Sequence, residues 1–240
     1  MKLNLILPTC WQELTPKQLS YVYYLIAQKY SPTALQTYCL CRWGGLEIIC
    51  PEGDGYSVRH DFHVHHINAE QLAAAVRKLD WLARIPSVPV RLSTISGHAA
   101  VSATLEGISF ESYLVLENLY QGFLVTNNLE IFDSTTEILY GKALTLSDEE
   151  RVSIFYWLSS VKQYFARRWS HFFKEATPGM QPADMKDYLQ EQMDTQIRAL
   201  TKGDITKEST ILSLDVHRAL TELNAQAKEY EELKKEAHAH

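Results

Sequence analysis

The sequence predicts an α+β fold: an N-terminal helical pair, a small antiparallel β-sheet with a covering helix, and an all-helical C-terminal half that ends in a helical hairpin. Residues 15–43 and the chain from Ser109 onward repeat apolar side chains every three to four positions, which indicates helices with one buried face. Between them, short β-prone runs alternate with glycine turns. With 240 residues, 46% of them apolar, the chain is long enough to bury a core.

The first two helices are each marked by a proline at the first helical position. Thr15-Pro16 opens the first helix, and Ser31-Pro32 opens the second. The second helix runs to about Trp43 and stops at Gly44-Gly45. Because the connection between the helices is short, we expect them to pack as a hairpin.

Three short strands follow the helical pair. Residues 46–50, 56–60 and 62–66 are rich in β-prone side chains, and residues 51–55 contain Pro and two Gly residues that predict a turn. The short connections predict an antiparallel sheet.

A helix and a second hairpin complete the N-terminal half. Asn68 is a suitable N-cap for a helix over residues 69–84, which would cover the sheet. Residues 88–93 and 99–105 flank a Ser96-Gly97 turn, so we predict a second pair of strands there.

The C-terminal half is predicted to be helical throughout. Residues 110–125 and 129–139 have helical periodicity, and residues 147–150 (Ser-Asp-Glu-Glu) form a strong helix start with acids facing the positive end of the dipole. That helix carries an apolar stripe as far as Phe172, and residues 177–179 (Thr-Pro-Gly) break the pattern.

Two further helices should form the C-terminal hairpin over residues 181–236. One begins at Pro182 and ends at Gly203, and the other runs from about Thr206 past Tyr230. Their apolar stripes match in length, which predicts antiparallel packing of one helix against the other.

These elements divide the chain into three predicted regions. Residues 1–108 form an N-terminal α+β region, residues 109–176 a helical core region, and residues 177–240 the C-terminal hairpin with a polar tail.

Composition excludes several classes of function and compartment. The formal net charge of −6 argues against a protein that binds nucleic acid by neutralising phosphates. No apolar run reaches the roughly 20 residues that a membrane span needs, and no signal segment opens the chain. The four cysteines lack the spacing of a zinc knuckle or redox turn, so we expect reduced thiols in a cytoplasmic protein.

One segment has the residue types of a metal site. On a strand, Asp61, His63 and His65 would point to the same side, and a carboxylate with two imidazoles suits zinc, manganese or iron. The pattern resembles the opening strand of PHP-type phosphoesterases and amidohydrolases, which implies a metal-dependent hydrolase. Those enzymes need further ligands on later parallel strands, and the helical C-terminal half offers none.

Several other stretches resemble uncharacterised phage and prophage proteins encoded among tail-assembly genes. The resemblance implies a part in assembling or folding a tail component. It is carried by residues 7–15, 18–19, 37–40, 42–43, 117–124, 165–167, 171–173, 198–208 and 218–225.

We therefore expect a non-enzymatic, chaperone-like protein-binding or assembly factor with no cofactor, whose partner is a protein such as a phage structural protein. Matched amphipathic helices can supply an apolar groove for such a partner. The metal-dependent hydrolase is the alternative, and a subunit that self-associates into a ring or stack is a third interpretation. The expected partner-binding residues are Leu212, Val216, Leu220, Leu223 and Tyr230.

Overall fold

The computed structural model describes residues 5–174 and 185–238, and the fold is α+β, as predicted. The predicted break at residues 177–179 and the predicted helix start at Pro182 lie outside the described residues. In chain order the elements are α1 (Pro16–Ala27), α2 (Pro32–Trp43), β1 (Glu47–Glu52), β2 (Gly55–His60), β3 (His63–Asn68), α3 (Ala69–Arg77), β4 (Thr94–Ile95), β5 (His98–Ala99), α4 (Phe110–Thr126), α5 (Thr136–Tyr140), α6 (Asp148–Arg168), α7 (Met185–Thr201), α8 (Glu208–Leu212) and α9 (Val216–His238).

Local capping residues set the boundaries of the N-terminal helical pair, as the sequence predicts. The Gln18 amide N–H donates to Thr15 Oγ1, and the Thr15 N–H donates back to Gln18 Oε1 at 2.9 Å, which forms a capping box at the start of α1. Ser31 caps α2 in the same way through the Ala34 N–H. α2 ends at Gly44, and Gly45 turns the chain away with a φ of +61°.

Residues 47–68 form a three-stranded antiparallel sheet, which we call the meander. Its strands lie in the order β1-β2-β3, within a few residues of the predicted positions. Gly55 allows the start of β2 to lie close to the end of β3, because a Cβ at this position would clash with the Ile67 carbonyl oxygen. Only Val58 and Ile67 of the meander are buried, so it projects from the rest of the fold.

The helix that follows the meander is shorter than predicted. Asn68 caps α3 in a capping box with Gln71, but α3 ends at Arg77 instead of residue 84. A 3₁₀ turn over Asp80–Ala83 takes its place. The tighter turn brings Leu79 and Leu82, three residues apart, to the same side, where both are fully buried.

The prediction of two strands over residues 88–93 and 99–105 was wrong. The hairpin is reduced to the two-residue strands β4 and β5 around a turn at Ser96 and Gly97, which have φ values of +48° and +82°. The rest of residues 84–108 is irregular, and we call this stretch the carbonyl segment.

The carbonyl segment is bound by aromatic side chains from the helical body, the name used here for the helices outside residues 47–108. These side chains take the place of a neighbouring strand. In each case a ring N–H or a phenol O–H donates to a backbone carbonyl, which satisfies an acceptor that a β-ladder would otherwise pair. The pairs are Trp11 Nε1 with Arg84 O (3.1 Å), Tyr140 Oη with Leu92 O (3.1 Å), Trp157 Nε1 with Ala103 O (2.7 Å) and His217 Nε2 with Thr104 O (2.7 Å).

The long helix α6 lies at the centre of the helical body and packs along α1. A capping box of Ser147 and Glu150 opens it, and Trp157 and Phe165 on its inner face are fully buried. α6 ends at Arg168, so the apolar stripe predicted as far as Phe172 continues beyond the helix into a turn.

The segment between α4 and α6 is only partly α-helical. α4 ends at Asn127, which adopts the left-handed conformation with a φ of +52°. Residues 129–139 were predicted as one helix, but the structure has a 3₁₀ helix over Leu129–Thr135 followed by the short α5.

The last predicted helix is broken in two. α8 ends at Leu212, and the chain then pairs with the start of α4: the Phe110 N–H donates to Leu214 O at 2.7 Å, and the Val216 N–H donates to Ile108 O at 3.0 Å. Asp215 serves both sides of the break, because its carboxylate accepts from the Gly107 N–H at 2.7 Å and from the first amides of α9. α7 packs against both α8 and α9.

Side chains from all three predicted regions belong to one contiguous hydrophobic core. It joins Tyr23 of α1, Phe110 of α4, Trp157 of α6 and Leu220 of α9, each of which is fully buried. The C-terminal helices therefore complete the same core that the N-terminal helices begin.

Tyr140→Phe tests the importance of the carbonyl segment's hydrogen bonds. The change leaves the buried Leu92 carbonyl without its partner, and we expect the free energy of unfolding to fall by about 1–3 kcal/mol. Tyr23→Phe is the matched control, because the buried Tyr23 hydroxyl has no hydrogen-bond partner among the described residues. Urea unfolding should show unchanged or higher stability for the control, and equal losses in both variants would contradict this account.

Candidate functional site

The predicted metal residues lie at the tip of the meander. β3 begins at His63, so Asp61 belongs to the β2–β3 turn, where its φ of +46° places it in the left-handed region. The sequence led us to expect Asp61 on the same strand face as His63 and His65. Because Asp61 lies in the turn, strand alternation does not place it there. His63 and His65 do share a face, with ring centroids 6.3 Å apart, and His60 of β2 lies beside them at 6.4 Å from His65.

The polar atoms of this cluster are directed to local contacts. His63 Nδ1 lies 2.8 Å from the backbone carbonyl of Asp61, and the Asp61 carboxylate is 3.5 Å from His60 Nδ1 while remaining 86% exposed. Within residues 5–174 and 185–238, no group of three or more His, Cys, Asp or Glu side chains is arranged to hold a metal ion.

The cysteines of α2 are placed as packing residues. Burial raises the pKa of the Cys39 thiol to about 12, and it also raises the pKa of the half-buried Cys41. Both thiols are therefore protonated at neutral pH and are poor nucleophiles. Cys50 is exposed on β1, and all four cysteines are free thiols.

Most of the residues expected to bind a partner are occupied within the fold. Val216, Leu220 and Leu223 are buried in the core, and Leu212 is half-buried against it. Of the five predicted residues, only Tyr230 is largely exposed. Deleting residues 204–240 would therefore remove core side chains, so substitutions at exposed positions are needed to test this surface.

The outer half of α9 is held by an ion cluster that leaves an apolar strip uncovered. Glu231 contacts Lys174 Nζ at 2.7 Å and His171 Nδ1 at 2.9 Å, and these hydrogen bonds lower the pKa of Glu231 to about 2. Tyr230 and Leu233 lie beside this anchor and are exposed to solvent. The strip is short, with two large side chains.

The meander also carries exposed apolar side chains, at positions where the sequence did not predict a site. Ile48, Ile49 and Val64 are 45%, 43% and 60% exposed, and the Phe62 ring is fully exposed. The register pairs Ile48 with Val58 and Val58 with His65, so Ile48 lies on the face of the sheet opposite Val64. The exposed apolar side chains at the tip of the meander are therefore Phe62 and Val64, two residues apart.

Phe62 combines full exposure with an unfavourable backbone conformation. Asp61 and Phe62 form the two-residue β2–β3 turn, and both have positive φ, +46° and +65°. Such turns favour Asn-Gly or Asp-Gly, and left-handed backbone costs about 1–2 kcal/mol for a residue with a Cβ. Within the described part of the chain, no burial of the ring offsets this cost, because the ring is fully exposed.

The free edge of β1 is protected against pairing with another strand. The β1–β2 register shifts between Ile48 and Cys50, which makes a β-bulge, and Pro51 has no N–H to donate. Both features reduce open-ended strand addition. At the β1 edge, the meander therefore presents side chains to a partner rather than a ladder of backbone groups.

Comparisons with known proteins give no relative from which the role of this surface could be inferred. The chain matches no protein-family model, no curated protein and no solved structure. Over the described residues, the helices are all too short or too polar to cross a lipid bilayer.

Metal analysis of untagged protein tests the arrangement of Asp61, His63 and His65. Because the Asp61 carboxylate lies in the turn, we expect well below one zinc, manganese or iron per chain by mass spectrometry, unchanged in His63→Ala/His65→Ala. One equivalent of metal that this double variant loses would contradict the geometry and support the hydrolase alternative.

Proposed function

We propose that this protein is a non-enzymatic binding factor in the assembly of a multi-subunit structure, and that the meander is its contact surface. The observation that carries this proposal is the fully exposed Phe62 ring, held in a left-handed turn at the tip of the meander two residues from the exposed Val64. Fully exposed aromatic rings are common anchors of protein interfaces, since burying one in a partner's pocket supplies much of the binding energy.

The charged side chains of the meander favour a protein partner whose binding pocket has a basic rim. The meander carries the carboxylates of Glu47, Glu52, Asp54 and Asp61 against the single guanidinium of Arg59, which pairs with Glu47 at 2.6 Å. A negative surface repels nucleic acid phosphates and anionic lipids. It attracts an apolar pocket surrounded by lysine or arginine.

The resemblance to proteins encoded among tail-assembly genes suggests the class of partner. Tail components are built from many copies of few subunits, and a subunit must be kept from associating before its place in the assembly is ready. A binding factor that covers an apolar pocket on such a subunit would serve this purpose in the cytoplasm.

Phe62→Gly/Val64→Thr tests the proposed contact surface. Gly suits the left-handed turn position and Thr keeps a β-branched side chain on β3, so we expect thermal stability to be unchanged or higher. Binding to a purified tail subunit, measured by calorimetry, should weaken at least about 30-fold, as expected when an anchor worth about 2 kcal/mol is lost.

The matched control for this experiment is Tyr230→Ser/Leu233→Ser, which removes the exposed apolar strip of α9. We expect the control to bind as tightly as the wild-type protein. If it loses binding while the meander variant does not, the contact surface lies on the C-terminal helices and the assignment to the meander is wrong.

A further inference from the structure

A cavity of about 360 Å³ lies between the N-terminal segment, α2, β3 and α3. Eight of its eleven lining residues are aliphatic, among them Leu7, Leu40, Leu46, Ile67 and Leu72. This volume and composition fall within the range of small-molecule sites in proteins, which are mostly apolar with a few polar groups that fix orientation.

The apolar face of α3 forms one wall of the cavity and is incompletely covered. α3 is strongly amphipathic, yet none of its residues is buried. Leu72 and Ala75 line the cavity while remaining partly exposed. A helix normally buries such a face against the core, so this one has capacity for a further apolar contact.

The three polar residues of the cavity lining are His66, Gln71 and Lys78, so the lining has hydrogen-bond donors and no carboxylate. The Lys78 ammonium group forms no ion pair or hydrogen bond within the described part of the chain, and it lies at the end of α3. Gln71 uses its side-chain oxygen to accept from the Asn68 N–H, which leaves its amide N–H groups available. The third polar residue, His66, forms a hydrogen bond between its Nε2 and Oδ1 of Asp54 at 3.1 Å.

We propose that this cavity binds a small anionic amphiphile, namely a free medium-chain carboxylate whose alkyl chain lies among the aliphatic residues and whose head group contacts Lys78. The aliphatic lining favours an alkyl chain, and the uncompensated ammonium group favours one negative charge at its end. The cavity volume suits one such molecule better than the long groove that a peptide helix requires. This inference does not depend on the proposed function.

Calorimetric titration of the full chain with octanoate, 1-octanol and acetate tests the proposal. We expect one octanoate site per chain with a submillimolar Kd, weaker binding of 1-octanol, and no binding of acetate. Lys78→Gln should weaken octanoate binding about 3- to 10-fold, a modest effect because the ammonium group is exposed, and should leave 1-octanol binding unchanged.

A pair of alanine substitutions on α3 locates the site. Ala73 and Ala74 are both exposed, but only Ala74 lines the cavity. We expect Ala74→Trp to abolish octanoate binding and Ala73→Trp to preserve it, with both variants folded by circular dichroism.

Three results would overturn the proposal. The first is no octanoate binding, and the second is equal octanoate binding in the two tryptophan variants. The third is binding of an apolar hexapeptide without binding of octanoate, which would assign the cavity to a protein partner.

Discussion

The carbonyl segment is the constraint on which the rest of the structure depends. About 25 residues have almost no regular secondary structure, and carbonyl oxygens along them accept hydrogen bonds from side chains elsewhere in the chain. Trp11, Tyr140, Trp157 and His217 provide these donors from four different parts of the helical body. Each bond ties a helix to the same length of chain, which joins the N-terminal and C-terminal elements around one core.

This arrangement divides the molecule into a set of helices that share one core and a projecting sheet. The apolar faces of α6 and of the first half of α9 are buried in the core. Three of the predicted partner-binding residues, Val216, Leu220 and Leu223, are buried there. Val58 and Ile67 are the buried side chains of the meander, whereas Ile48, Ile49, Phe62 and Val64 are exposed. A partner can therefore bind the meander without disturbing the core, which is a requirement of the function proposed above.

The parts of the fold that depend on local chemistry were predictable from the sequence. Thr15, Ser31, Asn68 and Ser147 each mark the start of a helix, because a capping side chain bonds amides only two or three residues away. The break at Leu214 was missed because it depends on pairing with Ile108 and Phe110, a hundred residues earlier. The carbonyl segment was misread as strands for the same reason, since its hydrogen-bond donors are remote in sequence.

The candidate site was harder to predict than the fold. We predicted Asp61 on a strand because the alternation of side chains along a strand does not show where the strand ends and a turn begins. Phe62 was overlooked because an aromatic residue beside β-prone neighbours usually indicates a buried position. Only the register of β2 with β3 shows that the Phe62 ring lies at the turn. The exposure of the meander depends on the whole fold, so the local sequence does not predict it.

Site-specific photo-crosslinking tests the central claim most directly. A photoreactive phenylalanine analogue placed at position 62 is compared with the same analogue at Ile205, which is also highly exposed, at 82%, but lies in the α7–α8 connection. In a reconstituted mixture with a purified tail subunit, the account predicts a discrete crosslinked product from position 62 and none from position 205. Equal crosslinking at both positions, or none at position 62, would contradict the assignment of the meander as the contact surface.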